Sequence, residues 1–334
     1  MSNTAMFFNE LDGDQRRTYI DTVQVYEAYC AACEDYRAFR GSMYWRSHKG
    51  QDHLYHRLSD KRRSYTGPRN AETEARYREF TQGKATAKER VASLKEQLRK
   101  QGALARAVGI DRVPSIVAKV LEGINEEPSL RDQVTIVGTH ARWAYETLAG
   151  VRFETEIVAT KDVDIMWHVG HHLELAGPLA GRGLLGFLQG IDSTFKRDNK
   201  LRFRAVNGKG YAVDLLAPDR PGHRGLKLIR TQYDLVANRM DALNELLGDP
   251  LERVVIGQLG HTITTMRVPD PRAFVKHKVG LSMRTDREPD KRKRDLMMAE
   301  AVARLIVEHL PQYPLADEDI QGFPEAVRRA LKAA

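Results

Sequence analysis

Cysteine is scarce in this sequence, since only Cys30 and Cys33 occur among 334 residues. Their Cys-x-x-Cys spacing is found in zinc sites and in redox motifs. A zinc site would need two further ligands, and a redox motif would need a strand before the pair and a helix after it. Here both cysteines lie inside one stretch of helical character, "TYIDTVQVYEAYCAACEDYRAF". We therefore interpret them as small residues on a helix face.

Long apolar runs are also absent. No run of 18 apolar residues occurs, so the sequence contains no candidate transmembrane helix. The first residues, "MSNTAMFFNELDGDQRR", lack the basic segment followed by an apolar stretch that marks a signal peptide. We therefore expect a cytoplasmic protein that does not act on a membrane. Internal repeats and low-complexity tracts are absent too.

Basic residues, in contrast, are abundant. Hydrophobic residues make up 42% of the chain and charged residues 29%, which is an ordinary globular balance with room for two domains or one elaborate domain. The net charge is +8, and the sequence pI is about 9.4. This excess suggests a phosphate-rich partner such as a nucleotide or a nucleic acid, although a soluble protein can be this basic for no special reason. Lys and Arg are densest in residues 60–70 and 284–295, and either stretch could be a solvated face.

The N-terminal part of the sequence is mainly helical. Residues 12–40 show apolar residues at helical spacing, and 70–109 has the composition of a long charged helix with a candidate break at Gly83. Between them, the aromatic stretch 41–58 predicts a small hairpin. Residues 111–127 form a further amphipathic pattern that ends at Pro128.

The middle of the sequence changes to mixed strand and helix character. A short β-branched stretch, "QVTIVG", is followed by the helical "HARWAYETLAG", and "ETEIVATKDVDIMW" returns to strand. The runs "LRFRAV" and "YAVDLLAP" flank an Asn-Gly turn, which is a strong hairpin signal. A second hairpin is predicted over 252–268, turning near Gly260, and the chain is helical again from Pro271 to about 310.

These patterns predict an α+β fold with a mixed, mainly antiparallel sheet flanked by helices. We expect three regions: a mainly helical part with a small hairpin (1–128), a central domain (129–270), and a helical C-terminal part (271–334).

Three aspartates stand inside apolar strands. Asp162 and Asp164 are two positions apart, so their side chains point to the same face, and Asp214 occupies a second strand. Each could be a capping residue or half of a salt bridge. Three carboxylates on neighbouring strands repel one another, however, and a divalent cation removes the conflict. Oxygen ligands suit Mg²⁺ or Mn²⁺, and two such ions form the clamp used in phosphoryl and nucleotidyl transfer.

A strand that ends in Gly138-Thr139 precedes these aspartates, and a helix follows at once. Backbone N–H groups at a helix N-terminus bind phosphate, and glycine lets the phosphate approach. Thr139 is either a hydroxyl donor or a helix cap, and His140 either a phosphate ligand or an ordinary first-turn residue. A cluster of histidines, His168, His171 and His172, is interpreted as polar loop residues, because no fourth zinc ligand is evident.

The stretches "VGTHARWAYETLAGV", "ATKDVDIMW", "VDLLAP" and "FVKHKVGLSMRTDREPDKRKRD" together resemble the nucleotidyltransferase superfamily typified by DNA polymerase β. The pattern is most similar to bacterial stand-alone nucleotidyltransferase-like proteins of the abortive-infection and toxin–antitoxin group. The resemblance covers about residues 130–310. Thr139 departs from the commoner Ser or Gly, and the gap from Gly138 to Asp162 is longer than in minimal enzymes.

The resemblance implies roles for specific residues. Asp162, Asp164 and Asp214 would be the catalytic residues and the ligands of two Mg²⁺ or Mn²⁺ ions. The nucleotide triphosphate would be held by Gly138 and Thr139 and by basic residues of the C-terminal segment, for which the candidates are Lys278, Arg284, Arg287 and Lys293. Asp295 would be structural.

The predicted function is transfer of a nucleoside monophosphate from an NTP to an acceptor hydroxyl. The acceptor implied is RNA, such as a tRNA 3′ end, in a toxin or defence role with a cognate antitoxin as a further partner. Two alternatives stay open: nucleotidylation of a protein, and a non-catalytic nucleic-acid-binding module that keeps the fold. Metal-dependent phosphodiester hydrolysis explains the strand–Gly-Thr–helix element less well.

Overall fold

A computed structural model describes residues 7–59, 62–154, 161–167, 183–219 and 234–332. The chain divides into two compact units. One, the large unit, combines Met1–Arg16 with Asp111–Ala334, and the other, the inserted unit, is Arg17–Ile110. The three functional regions expected from the sequence remain a prediction.

The inserted unit consists of two long helices and a three-stranded antiparallel sheet. Its elements are α1 (Gly13–Ala38), which begins in the large unit, β2 (Ser42–His48), β3 (Gln51–Ser59), β4 (Arg62–Pro68) and α2 (Ala71–Ala107), and the strand order is β2-β3-β4. The predicted hairpin is confirmed, and β4 adds a strand that the charged stretch 60–70 did not indicate. Both cysteines lie in α1, as expected, and they form no disulfide within the described residues.

The long charged helix is continuous. Asn70 caps α2 by accepting a hydrogen bond from the Thr73 backbone N–H at 2.9 Å. The helix runs through Gly83 without the break that glycine suggested. A Cβ at Gly83 would overlap the Phe39 ring, so the glycine serves close packing and not a bend.

A mixed six-stranded sheet forms the centre of the large unit. Its strands are β5 (Val134–Val137), β7 (Asp162–Trp167), β8 (Lys196–Arg197), β9 (Arg204–Val206), β10 (Ala212–Pro218) and β11 (Asn238–Met240). The order is β5-β7-β10-β9-β8, with β11 also paired to β10. Strand β10 is parallel to β7 and β11, whereas the β5–β7, β9–β10 and β8–β9 pairs are antiparallel. The predicted α+β class with a mixed sheet is confirmed.

Two smaller pairings complete the strands. The first strand of the chain, β1 (Phe8–Glu10), pairs antiparallel with β6 (Val151–Phe153). The predicted second hairpin is confirmed as β12 (Leu251–Ile256) and β13 (Ile263–Val268).

Helices cover the sheet. They are α3 (Ser115–Glu126), α4 (Pro128–Arg131), α5 (Arg142–Ala149), α6 (Gly183–Ile191), α7 (Pro271–Met283), α8 (Pro289–His309), α9 (Asp317–Gln321) and α10 (Glu325–Lys332). The expected single helical segment after Pro271 is two helices, because α7 ends at Met283 with Arg284 in an extended conformation, and α8 begins at Pro289, where proline suits the first helical position. Among the helices of the described ranges, none has both the length and the apolar character needed to cross a membrane.

Candidate active site

A tight turn joins β5 to the first helix of the candidate site. All four residues of β5 are buried, and the chain turns at Gly138 with a left-handed φ of +68°. A single 3-10 turn, Gly138–Ala141, leads into α5, which Gly150 closes at φ +67°. The structure therefore contains the strand–Gly-Thr–helix element expected from the sequence, with Thr139 partly buried in its first turn.

The three aspartates share one face of the sheet. Strands β7 and β10 run parallel, in a register that sets Asp164 beside Asp214 and Asp162 beside Ala212. The alternating residues Val163 and Ile165 point to the other face and are fully buried. Apolar packing on one side thus fixes the carboxylates on the other.

Gly138 and Asp164 are in direct apposition. Strand β5 pairs with β7 so that Val137 lies opposite Asp164. A Cβ placed on Gly138 would overlap the Asp164 carboxylate, and the positive φ independently favours glycine. The turn that would receive phosphate and the carboxylate that would bind a cation are therefore neighbours.

Negative charge accumulates on this face. Burial, together with the carboxylates of Asp162 and Asp214, raises the pKa of Asp164 to about 7, although Lys278 and Arg204 act in the opposite direction. A carboxyl group with so high a pKa lies near too little positive charge to ionise readily. A bound cation would reverse that balance.

Arg204 is the functional residue that sequence reasoning missed. Its Nε and Nη2 donate to the two carboxylate oxygens of Asp214 at 2.7 and 2.6 Å, and Nη2 lies 3.5 Å from Asp162 Oδ2. Such a bidentate pair is strong and directional. A signal was available, because the predicted Asn-Gly hairpin pairs β9 with β10 and sets Arg204 opposite Asp214.

The donor chemistry of this face fits a divalent cation. Three carboxylates on adjacent strands offer oxygen ligands only, which Mg²⁺ and Mn²⁺ prefer. In the described part of the chain, no three His, Cys, Asp or Glu side chains already converge as a metal-binding group. The guanidinium of Arg204 instead holds both oxygens of Asp214, so it supplies part of the positive charge that the face requires.

The basic candidates from the C-terminal segment fall into separate places. Lys278 is buried on α7, where its charge lowers the pKa of Asp164, and its Nζ donates to Asp295 at 2.8 Å. Arg287 donates to the other oxygen of Asp295 at 2.6 Å. Arg284 pairs with Asp286 at the surface, and Lys293 is exposed on α8. The structure thus brings Lys278 towards the aspartates, with Arg287 joined to it through Asp295.

A buried polar cluster lies behind the Gly138 turn. His140 accepts a hydrogen bond from Trp143 Nε1 at 3.2 Å, and burial lowers the pKa of His140 to about 3. The imidazole is therefore neutral and part of the interior. Arg142 stacks on Trp143 with Cζ 3.7 Å from the ring centre, and Arg112 pairs with the buried Glu146 at 2.9 Å. His168, His171 and His172 lie outside the described residues.

A mixed sheet that carries three aspartates beside a strand–glycine–helix turn is the arrangement that the sequence predicted for a nucleotidyltransferase. A family model described as nucleotidyltransferase matches residues 115–321, more than half of the chain. The protein belongs to this family and is a nucleotidyltransferase, an enzyme that moves a nucleoside monophosphate onto an acceptor. The searches of curated proteins and of solved structures returned no match. The family match leaves out the inserted unit.

Proposed function

We propose that this enzyme is a divalent-cation-dependent nucleotidyltransferase that acts on the hydroxyl of an RNA, such as a tRNA 3′ end. The observation that carries the proposal is the apposition of Asp164, next to Asp162 and Asp214, with the Gly138 turn. In this arrangement a cation-binding face and a phosphate-binding turn would lie side by side. Nucleotidyl transfer needs both at the same place.

Each residue has a role in this proposal. Asp162 and Asp164 would hold two Mg²⁺ or Mn²⁺ ions, and Asp214 would complete the site on the side of the acceptor hydroxyl. When bound, the ions neutralise the carboxylates and the developing charge on the phosphate oxygens. The backbone N–H groups of Gly138 and Thr139 bind the β- and γ-phosphates.

The basic residues of the C-terminal segment would also bind the triphosphate. Of the four candidates from the C-terminal segment, Lys278 is the one whose charge lowers the pKa of Asp164, and Arg287 shares Asp295 with it. Arg284 and Lys293 are exposed and would reach the triphosphate only by moving their long side chains. We therefore rank Lys278 and Arg287 ahead of Arg284 and Lys293 as nucleotide ligands.

The proposed reaction is a single displacement. The acceptor oxygen attacks the α-phosphorus, its proton passes to Asp214 or to solvent, and the bond to the β-phosphate breaks. Pyrophosphate leaves with that electron pair, and a nucleoside monophosphate remains on the acceptor.

An RNA acceptor is supported by the basic charge of the chain and by the resemblance to toxin and abortive-infection enzymes. With it we propose a cytoplasmic toxin or defence role that a cognate antitoxin restrains. A protein hydroxyl is the alternative acceptor, and the labelling experiment below separates the two.

The test is a labelling reaction with the full chain. Each α-³²P-labelled NTP is incubated with total RNA or protein extract, with MgCl₂ or with EDTA. We expect label on RNA with at least one nucleotide, and its loss with EDTA and in Asp162→Asn and Asp214→Asn. The control is Asp219→Asn, which changes an aspartate just past the end of β10, where it pairs with Arg239 at 3.6 Å.

Three outcomes would contradict parts of the proposal. Label on protein instead of RNA would identify the alternative acceptor. Label that survives in Asp162→Asn and Asp214→Asn would remove the aspartates from the chemistry. No label with any nucleotide, acceptor extract or divalent cation would favour a non-catalytic nucleic-acid-binding module.

A further inference from the structure

All of the net charge of the chain comes from the inserted unit. Residues 17–110 contain 19 Lys and Arg against 11 Asp and Glu, a net charge of +8, whereas the rest of the chain has 34 of each and is neutral. The family match begins at residue 115, so this charge lies outside the region that defines the transferase. A unit with its own strong charge excess has its own reason to attract an anionic partner.

The sheet of the inserted unit presents two different faces. On the inner face Leu54 is fully buried, the Trp45 ring lies 5.7 Å from that of Tyr77, and His56 lies 5.3 Å from Phe80. Tyr77 and Phe80 belong to α2. The inner face therefore packs on a helix, and the opposite face points away from it.

The outer face carries a row of tyrosines, one from each strand. Tyr44 pairs across the strands with Tyr55, and Tyr55 with Tyr65. The ring centres are 5.9 and 5.6 Å apart, with Tyr44 and Tyr55 nearly parallel and Tyr65 edge-on to Tyr55. Tyr65 is 57% exposed, which leaves one side of its ring open.

Arginines stand between and beside these rings. Arg46 lies two residues after Tyr44 on β2, and Arg57 pairs with Arg63 across β3 and β4. The Arg57 guanidinium lies over the Tyr44 ring at 6.0 Å. All three arginines are exposed, and in the described ranges none of them forms an ion pair. We call Tyr44, Tyr55, Tyr65, Arg46, Arg57 and Arg63 the tyrosine platform.

We propose that the tyrosine platform binds single-stranded RNA, with bases stacked on its tyrosines and phosphates held by its arginines. Aromatic rings on an open sheet combined with positive charge are the two components of single-strand recognition. The binding does not require the transfer reaction, so it stands apart from the proposed function.

The composition of the face distinguishes RNA from other anionic partners. Cross-strand tyrosine pairs by themselves would only stabilise the sheet, and they would not need exposed arginines around them. A membrane-binding face would present aliphatic side chains for insertion, whereas the paired positions of this face, apart from Pro68, carry polar, aromatic and basic residues. Single strands expose the faces of their bases, which duplexes hide by stacking.

The test measures binding of the full chain to a fluorescent, unstructured RNA of about 12 nucleotides, within the usual site size of such surfaces. Fluorescence anisotropy gives Kd at several salt concentrations. We expect Tyr65→Leu to weaken binding by about 5-fold or more, while Tyr65→Phe keeps the ring and the affinity. Arg57→Gln and Arg63→Gln should each reduce the dependence of log Kd on log salt by about 0.7.

A charge-matched control separates the platform from the overall charge. Arg106→Gln removes one exposed positive charge from the far end of α2 and should leave Kd nearly unchanged. Circular dichroism of each variant verifies that the unit remains folded. DNA of the same sequence and duplex RNA serve as competitors, and vesicles of phosphatidylserine test the membrane alternative.

Several results would overturn the proposal. Absence of RNA binding, or an equal Kd for wild type and Tyr65→Leu, would each do so. An equal loss of RNA affinity in Arg57→Gln and Arg106→Gln would also do so, because it would indicate only unspecific attraction to polyanions. Tighter binding of single-stranded DNA or of duplex RNA, or binding to vesicles without binding to RNA, would also refute it. Loss of RNA binding in Tyr65→Leu with transfer chemistry unchanged on a small acceptor would confirm that platform and active site are separate.

Discussion

At the scale of single residues, Arg204 is the counter-charge of the aspartate face. A cation bound among Asp162, Asp164 and Asp214 must share these oxygens with the guanidinium. We expect Arg204→Gln to bind Mn²⁺ about tenfold more tightly, which corresponds to about 1.4 kcal/mol of extra stabilisation at saturating metal. The measurement is the increase in melting temperature on adding MnCl₂.

The control for this prediction is Arg202→Gln, which removes an exposed arginine two residues earlier. Its metal-induced shift should equal that of wild type. If Arg204→Gln also showed the wild-type shift, the guanidinium and the cation would occupy independent places.

His277 makes stability depend on pH. Its Nδ1–H donates to the Ala242 carbonyl at 2.9 Å, and burial, with Lys278 beside it, lowers the pKa of the imidazole to about 4. The unfolded chain takes up this proton below about pH 6.5 and the folded chain only near pH 4, so stability is complete above pH 6.5 and falls below it. Between pH 7.5 and 5.0 the titration of His277 lowers the free energy of unfolding by about 2 kcal/mol.

The measurement is urea denaturation of wild type and His277→Asn at both pH values. Asparagine keeps a donor for the Ala242 carbonyl and does not titrate. On acidification, the free energy of unfolding of the variant should therefore fall by about 2 kcal/mol less than that of wild type. An identical pH dependence in both proteins would show that His277 is already protonated at pH 5.0 in the folded state.

At the scale of elements, the turn between β5 and α5 ties backbone conformation to the active site. Gly138→Ala faces both a left-handed φ and overlap with the Asp164 carboxylate, whereas Gly150→Ala faces a similar φ with open space around its Cβ. A left-handed φ costs about 1 kcal/mol in a non-glycine residue. We expect the free energy of unfolding to fall by at least this amount in both variants. Only Gly138→Ala should also lose transfer activity and metal-induced stabilisation.

Thermal melting with and without MnCl₂, together with the labelling reaction, tests this pair of variants. Equal activity in Gly138→Ala and Gly150→Ala would mean that the turn does not position Asp164.

Local patterns were sufficient for much of the fold and part of the site. Strand alternation placed Asp162 and Asp164 on one face, and the Asn-Gly turn identified the hairpin that contains Asp214. Lys278 could be selected only through the family resemblance, because its position depends on how α7 packs in three dimensions. Arg204 was missed because the residues of β9 were not aligned with their partners on β10, where Arg204 lies opposite Asp214.

The errors have equally local causes. β4 was not recognised because its dense charges and the Gly67-Pro68 pair are typical of a loop. Gly83 suggested a break because composition does not show that Phe39 packs against it. The division into α7 and α8 was missed because Pro289 was not recognised as the first residue of a new helix.

At the scale of the whole molecule, the large unit is assembled from two separate parts of the chain. Phe8 of β1 is buried, with its ring 6.0 Å from Phe153 and 5.2 Å from His309. Phe8→Ala should therefore lower the free energy of unfolding of the large unit by about 3 kcal/mol. Ile20→Ala, at a position 54% exposed on α1, is the control and should have little effect.

Urea denaturation in a Trp45→Phe background measures this effect. The remaining tryptophans, Trp143 and Trp167, both lie in the large unit, so their fluorescence reports on it alone. No change in Phe8→Ala would mean that β1 contributes nothing to the stability of that unit.

The pairing of β1 with β6 also has a consequence during synthesis. Phe8 leaves the ribosome long before Phe153, its partner in the strand register. At the usual elongation rate of about 5–20 residues per second, Phe7 and Phe8 remain without their partner strand for roughly 7–30 s before β6 emerges. During that interval the inserted unit, which is complete at residue 110, has time to fold, while Phe7 and Phe8 are exposed to chaperones and proteases.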